Sequence, residues 1–141
     1  GVAMADPGRR VVLLTGDGAH QETMGAIATM GFHGIKPVIF LLNNGCYGVE
    51  YELELGRPRY NEIPTLRYSQ LPEVMGCQNW LTRTVTTNAE LEEAMAAIKA
   101  EPDRAAYIEV VVPAEENVSL PDKVIEHIYK LKTPNAMSVN P

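Results

Sequence analysis

Two short polar segments carry residue types able to do chemistry at a common place. Gly16-Asp17-Gly18 holds a carboxylate, and Asn43-Asn44-Gly45 holds an amide oxygen 27 positions later, 44 minus 17. Both are hard oxygen donors, which Mg²⁺ takes in octahedral geometry beside phosphate and water oxygens. A helix starting near His20 would point its unpaired N–H groups and positive dipole end at the same place, which favours a phosphate. Gly16 and Gly18 let the backbone approach a ligand closely. The chemistry these residues imply is a metal–diphosphate site.

Such a site needs elements that bring both segments to one edge. Val11 to Thr15 is a β-branched and Leu run that ends in Gly, and it reads as a strand. His20 to Gly31 carries Met24, Ile27, Ala28 and Met30 near helical spacing, with Gly34 as a stop. Val38 to Leu42 is a continuous apolar run, the pattern of a strand covered on both faces in a parallel sheet. The Asn-Gly pair behind it is also a hairpin signal. Residues 38–54 therefore read locally either as a hairpin or as a strand end with a loop, and the lack of alternation favours the second.

A Gly- and Pro-rich loop follows, then a helix around Tyr68 to Met75 ended by Gly76. "WLTRTVTT" is a strand, Thr87 and Glu90 make a capping-box pattern, and Leu91, Ala94, Met95 and Ile98 form one apolar stripe. "AAYIEVVV" is a strand stopped by Pro113, and Asp122 can cap a last helix carrying Val124, Ile125, Ile128 and Leu131. Strand–helix alternation predicts an α/β layer with a mostly parallel sheet. Ligands in such sheets bind beyond the carboxyl ends of the strands.

The chain has 141 residues with a formal net charge of −6 and scattered Lys and Arg. That balance argues against nucleic acid and anionic membranes as main partners. No apolar run is long enough to span a bilayer. Cys46 and Cys77 have no metal or disulfide spacing, so a reducing, cytoplasmic setting is expected. The chain begins without Met, consistent with a processed or excised piece.

"GDG" after a strand, then a helix, then "NN" ending the next strand resembles the thiamine-diphosphate motif. That motif marks the diphosphate-binding (PP) domain of thiamine-diphosphate enzymes. "IATMGFHGIKPVIFLLNN", "YNEI", and Tyr47 with Glu50 resemble the 2-oxo acid decarboxylases that act on pyruvate, indolepyruvate and phenylpyruvate. The likeness runs roughly from Val11 to Val112. It implies a three-layer, doubly wound, mostly parallel thiamine-diphosphate-binding fold, truncated. Residues 1–133 would form the partial PP domain and 134–141 a polar C-terminal tail.

By this resemblance, Asp17, the Asn44 side-chain oxygen and the Cys46 carbonyl would bind Mg²⁺. Gly16, Asp17, Gly18, Ala19, His20, Asn44, Cys46, Tyr47 and Gly48 would surround the thiamine diphosphate. Glu50 would act in proton transfer near a small 2-oxo acid substrate, a role suited to a water-poor pocket. The sequence departs from the pattern at Cys46, usually Gly, at Ala19, often Ser, and at Ala26, often Glu. Gly45 is expected to absorb the turn in place of Cys46.

The pyrimidine-binding domain of the family has no counterpart here. The resemblance therefore implies one part of a decarboxylase, working with a pyrimidine-binding domain on another chain or segment and inactive alone. An uncovered apolar sheet edge or face and a homo-oligomer are expected. A non-catalytic orphan or fragment acting as an interaction module is the alternative. A carboligase is disfavoured by Glu50. Residue by residue, His20 reads as a solvated first-turn residue more readily than as a phosphate contact. Tyr47 reads as core or pocket wall. Glu50 has a competing reading as an exposed strand carboxylate, alternating with Glu52 and Glu54.

Overall fold

The computed structural model describes residues 1–54, 58–114, 124, 126 and 127. Four strands form one sheet: β1 Val12–Gly16, β2 Val38–Asn43, β3 Leu81–Val85 and β4 Ala106–Val111. Their order is β1-β2-β4-β3, and every neighbouring pair is parallel. The helices are α1 Val2–Ala5, α2 Asp17–Thr23, α3 Ala26–Phe32, α4 Gly48–Glu54, α5 Leu71–Val74 and α6 Asn88–Ala100. Short 3₁₀ turns cover Arg59–Asn61 and Tyr68–Gln70. The expected α/β class and parallel sheet are observed.

The β1-to-β2 and β3-to-β4 crossovers run in opposite directions along the sheet. Crossovers of one hand then place their helices on opposite faces. On one face Ile27 of α3 packs with Ile39, Leu41, Tyr68, Cys77 and Tyr107. On the other, Ala94 of α6 packs with Val85 and Ile108, flanked by Phe40, Leu91, Ile98 and Val110. β2 is covered on both faces, which is why its sequence does not alternate.

The sequence-based boundaries shift in three places. The helix expected over His20–Gly31 is two helices, α2 and α3, which meet at Met24-Gly25. The helix expected near Tyr68–Met75 is a 3₁₀ turn followed by one α turn, with Gly76 at φ 79° ending it. Residues 48–54 are helical, so the strand alternation of Glu50, Glu52 and Glu54 is not the backbone periodicity. The Thr87–Glu90 capping box forms: Glu90 N donates to Thr87 Oγ1 at 3.2 Å, and Thr87 N donates to Glu90 Oε2 at 3.0 Å. The polar tail, and most of the helix expected behind Asp122, lie outside the described residues.

β1 is an edge strand, and its apolar side chains are left uncovered by the described residues. Val12 is 59% exposed and Leu14 70%. Both are in register with Val38 and Phe40, on the α6 side of the sheet. The expected uncovered apolar edge is therefore present.

Candidate cofactor and metal site

β1 and β2 pair in parallel with Gly16 opposite Leu42, so their carboxyl ends emerge side by side. Asp17 is the first residue after β1 and is 2% exposed. Its Oδ1 accepts from Gly18 N at 3.0 Å, and its Oδ2 accepts from Gly45 N at 2.8 Å. The second bond joins the two polar segments directly. It also excludes the hairpin, since β2 is flanked by parallel partners on both sides. Burial pushes the Asp17 carboxyl above its ordinary range, and the N–H groups of Gly45 and Gly18 partly oppose that shift.

Asn44, half-buried, accepts at Oδ1 from Cys46 N at 3.4 Å. Gly45 has φ 69°, while Cys46 stays out of the left-handed region. Gly45 therefore absorbs the turn, as expected, and Cys46 suffices where a second glycine is usual.

A brace holds this turn from outside. Tyr47 N donates to Asn61 O at 2.9 Å, and Ile63 N donates to Gly45 O at 3.0 Å. These bonds flank the antiparallel bridge of Cys46 with Glu62. The "YNEI" segment is thus a main-chain clamp on the Asn44 turn. A Cβ on Gly18 would lie 2.4 Å from Tyr47 Cε1 and 2.9 Å from Ile63 Cδ1. In this structure, then, Gly18 makes room for the Tyr47 ring. An added Cβ at Gly16 meets nothing within 4 Å. Tyr47 is 37% exposed and so is not a buried core residue. Gly48 opens α4, and Glu50 N donates to Tyr47 O at 2.9 Å, placing Glu50 in the first turn of that helix. Ala19 is exposed on α2.

His20 differs from its sequence reading as a solvated residue. It is 4% exposed, with Nε2 2.9 Å from Tyr107 Oη. Its ring lies 5.7 Å from that of Tyr107 and 6.4 Å from that of Tyr68, centroid to centroid. Burial lowers the His20 pKa and raises that of Tyr107, so neutral imidazole and protonated phenol are the favoured pair. The physical reason is register: His20 lies one turn into α2, on the side that reaches Tyr107 of β4, where only a polar partner makes burial tolerable.

Sequence reasoning also missed Glu109. It is 6% exposed on β4 and accepts from Asn43 Nδ2 at 2.8 Å and Thr84 Oγ1 at 2.9 Å. Ser69 N adds a longer bond of 3.3 Å. The available signal was one charged residue inside the apolar run "AAYIEVVV".

Among the described residues, no cluster of three or more His, Cys, Asp or Glu could hold a metal. The donors at these strand ends are of another kind: one carboxylate, one side-chain amide and the carbonyls of a tight turn. Such hard oxygens suit Mg²⁺, which completes its shell with phosphate and water. The donor set therefore fits a metal-bridged diphosphate.

A parallel α/β sheet with an acid and an amide at its carboxyl edge places the candidate site where sheets of this class bind ligands. Residues 1–110 match the family described as "Thiamine pyrophosphate enzyme, C-terminal TPP binding domain". The chain belongs to that family, whose cofactor is thiamine diphosphate. It is 38% identical over 116 residues to the "Alpha-keto-acid decarboxylase" of Mycobacterium bovis (strain BCG / Pasteur 1173P2), covering 82% of this chain and 21% of that protein. The protein of the same name in Mycobacterium ulcerans (strain Agy99) is 34% identical over 125 residues, covering 89% of this chain and 22% of that one. The chain thus spans about a fifth of the length of the curated relatives it matches. Among the described residues, no helix is long and apolar enough to cross a membrane.

Proposed function

We propose that this chain is the Mg²⁺–diphosphate-holding part of a thiamine-diphosphate-dependent 2-oxo acid decarboxylase, and that turnover needs a pyrimidine-binding partner domain. The observation that carries the reading is the 2.8 Å bond from Gly45 N to Asp17 Oδ2, which fixes the acid against the Asn44 turn. The relatives' name supports the substrate class, and their greater length supports the need for a partner.

In this reading Asp17, Asn44 Oδ1 and the Cys46 carbonyl hold the metal. Gly16, Gly18, Ala19, His20, Tyr47 and Gly48 belong to the cofactor surroundings. When bound, thiamine diphosphate supplies the carbon nucleophile and the electron sink for loss of carbon dioxide from a 2-oxo acid. Glu50 moves a proton near the substrate, and Tyr47 and α4 aim it there. His20 acts from behind, holding α2 to β4 through Tyr107. Exposed Val12 and Leu14 on an open edge support a homo-oligomer or a covering partner segment. Cys46 and Cys77 are buried and not joined in a disulfide, which accords with a cytoplasmic setting.

Titration calorimetry of the chain with thiamine diphosphate tests the core of this reading. Heat is expected with Mg²⁺ present, and none with the Asp17→Ala variant. Absence of heat in both proteins would favour the non-catalytic interaction module. Decarboxylase assays of the isolated chain are expected to show no turnover. Light scattering at high concentration should give a mass above that of a monomer.

A further inference from the structure

We infer that Glu109 is a positioning residue for the metal-binding turn: its carboxylate fixes Asn43 and thereby sets Asn44 and Gly45 against Asp17. This deepens the proposed function and rests on it for the turn's role, though not for the turn's geometry.

A carboxylate on a central strand is costly unless it is fully bonded. Glu109 is bonded on both oxygens, to three different elements. Oε1 accepts from Asn43 Nδ2 at 2.8 Å, at the tip of β2. Oε2 accepts from Thr84 Oγ1 of β3 at 2.9 Å and from Ser69 N of the 3₁₀ turn at 3.3 Å. Asn43 is the last residue of β2. Its backbone is held by Val112 N, which donates to Asn43 O at 2.9 Å, and the Glu109 bond adds a side-chain hold at the point where Asn44 and Gly45 leave the strand. Gly45 N then meets Asp17 Oδ2 at 2.8 Å. The turn is therefore gripped at both ends by carboxylates: Glu109 holds the residue that enters it, and Asp17 holds the residue that turns it.

The two oxygens of Glu109 have separate partners, and this gives a chemically specific test. In Glu109→Gln the amide oxygen can keep Thr84 and Ser69, but the new NH₂ faces the NH₂ of Asn43 unless that amide turns over, so Asn43→Ala, which has no amide, is measured beside it. Adding Asn43→Asp supplies an acceptor there and restores the bond with its direction reversed. The readout is hydrogen exchange of the Gly45 amide in the 141-residue chain, with the Leu41 and Ile108 amides as controls. Glu109→Gln should speed Gly45 exchange roughly tenfold or more, the scale of one hydrogen bond to a charged group, and leave the controls nearly unchanged. The double variant Asn43→Asp/Glu109→Gln should recover most of the protection. The Mg²⁺ concentration giving half-maximal thiamine diphosphate binding should follow the same order.

Unchanged Gly45 exchange in Glu109→Gln, equal loss at the controls, or no recovery in the double variant would each overturn the inference. If Glu109→Gln does not fold, Asn43→Ala removes the same bond from the other side and must give the same selective loss at Gly45. A chain that binds no cofactor would fail the proposed function, and the exchange result would still decide the role of Glu109.

Discussion

β1 and β2 are built from much the same apolar residues, yet the fold treats them oppositely. β2 lies between β1 and β4 with Ile39 and Leu41 fully buried, whereas β1 lies at an edge with Leu14 70% exposed. The candidate site joins the two: Asn44 leaves a strand covered on both faces and Asp17 leaves the least-covered one. The acid accepts from the Gly18 and Gly45 amides. The Asn44 turn thus springs from a strand fixed on both sides, while Asp17 springs from an edge strand fixed on one.

Several substitutions sharpen or break this contrast. Leu41→Ala should cost about 2–5 kcal/mol, the range for a large buried side chain cut to Ala. Leu14→Ala should stay within about 0.5 kcal/mol, as for an exposed site. Urea unfolding measures both, and equal costs would show that β1 is already covered in solution. Between these extremes, His20→Leu should cost about 1–3 kcal/mol by leaving the Tyr107 hydroxyl unpaired. Adding Tyr107→Phe should cost less than the two single changes combined, as a double-mutant cycle would reveal.

His20 also predicts a pH trend. Its folded pKa is lowered by burial, so its contribution is complete above its ordinary value of 6.5. That contribution is lost as pH falls through the lowered folded value. The midpoint of thermal unfolding should therefore drop on acidification below 6.5, with a shallower drop in His20→Leu. An identical pH profile in both proteins would remove the burial argument. A modest effect is expected at the exposed cap of α6, where Thr87→Ala should cost about 1 kcal/mol with no effect on cofactor heat.

The sheet was legible because its strands carry continuous apolar runs bounded by Gly, Pro and Asn. The helix behind β3 was legible because Thr87 and Glu90 spell out its cap. The meeting of Asp17 with the Asn44 turn followed from parallel topology, which puts consecutive strand ends on one edge. Local signals gave less where tertiary contacts decide. Met24-Gly25 divides α2 from α3 within one apolar pattern, and Gly48–Glu54 is a helix despite its alternating acids. His20 and Glu109 look like solvated polar residues in isolation. Only the reach of His20 from α2 to Tyr107 on β4, and the packing of the Tyr68 turn against β3 and β4, gives them buried partners.

The central claim is that a divalent ion with a diphosphate sits where the β1 and β2 tips meet. Paramagnetic broadening tests it most directly: Mn²⁺ and thiamine diphosphate are added to the isotope-labelled chain, and amide signals are followed. Selective loss of the Gly18, Gly45 and Cys46 signals is expected, with Val38 and Ala106 at the opposite end of the sheet retained. Broadening centred on any other surface, or none at these three residues with the cofactor bound, would contradict it.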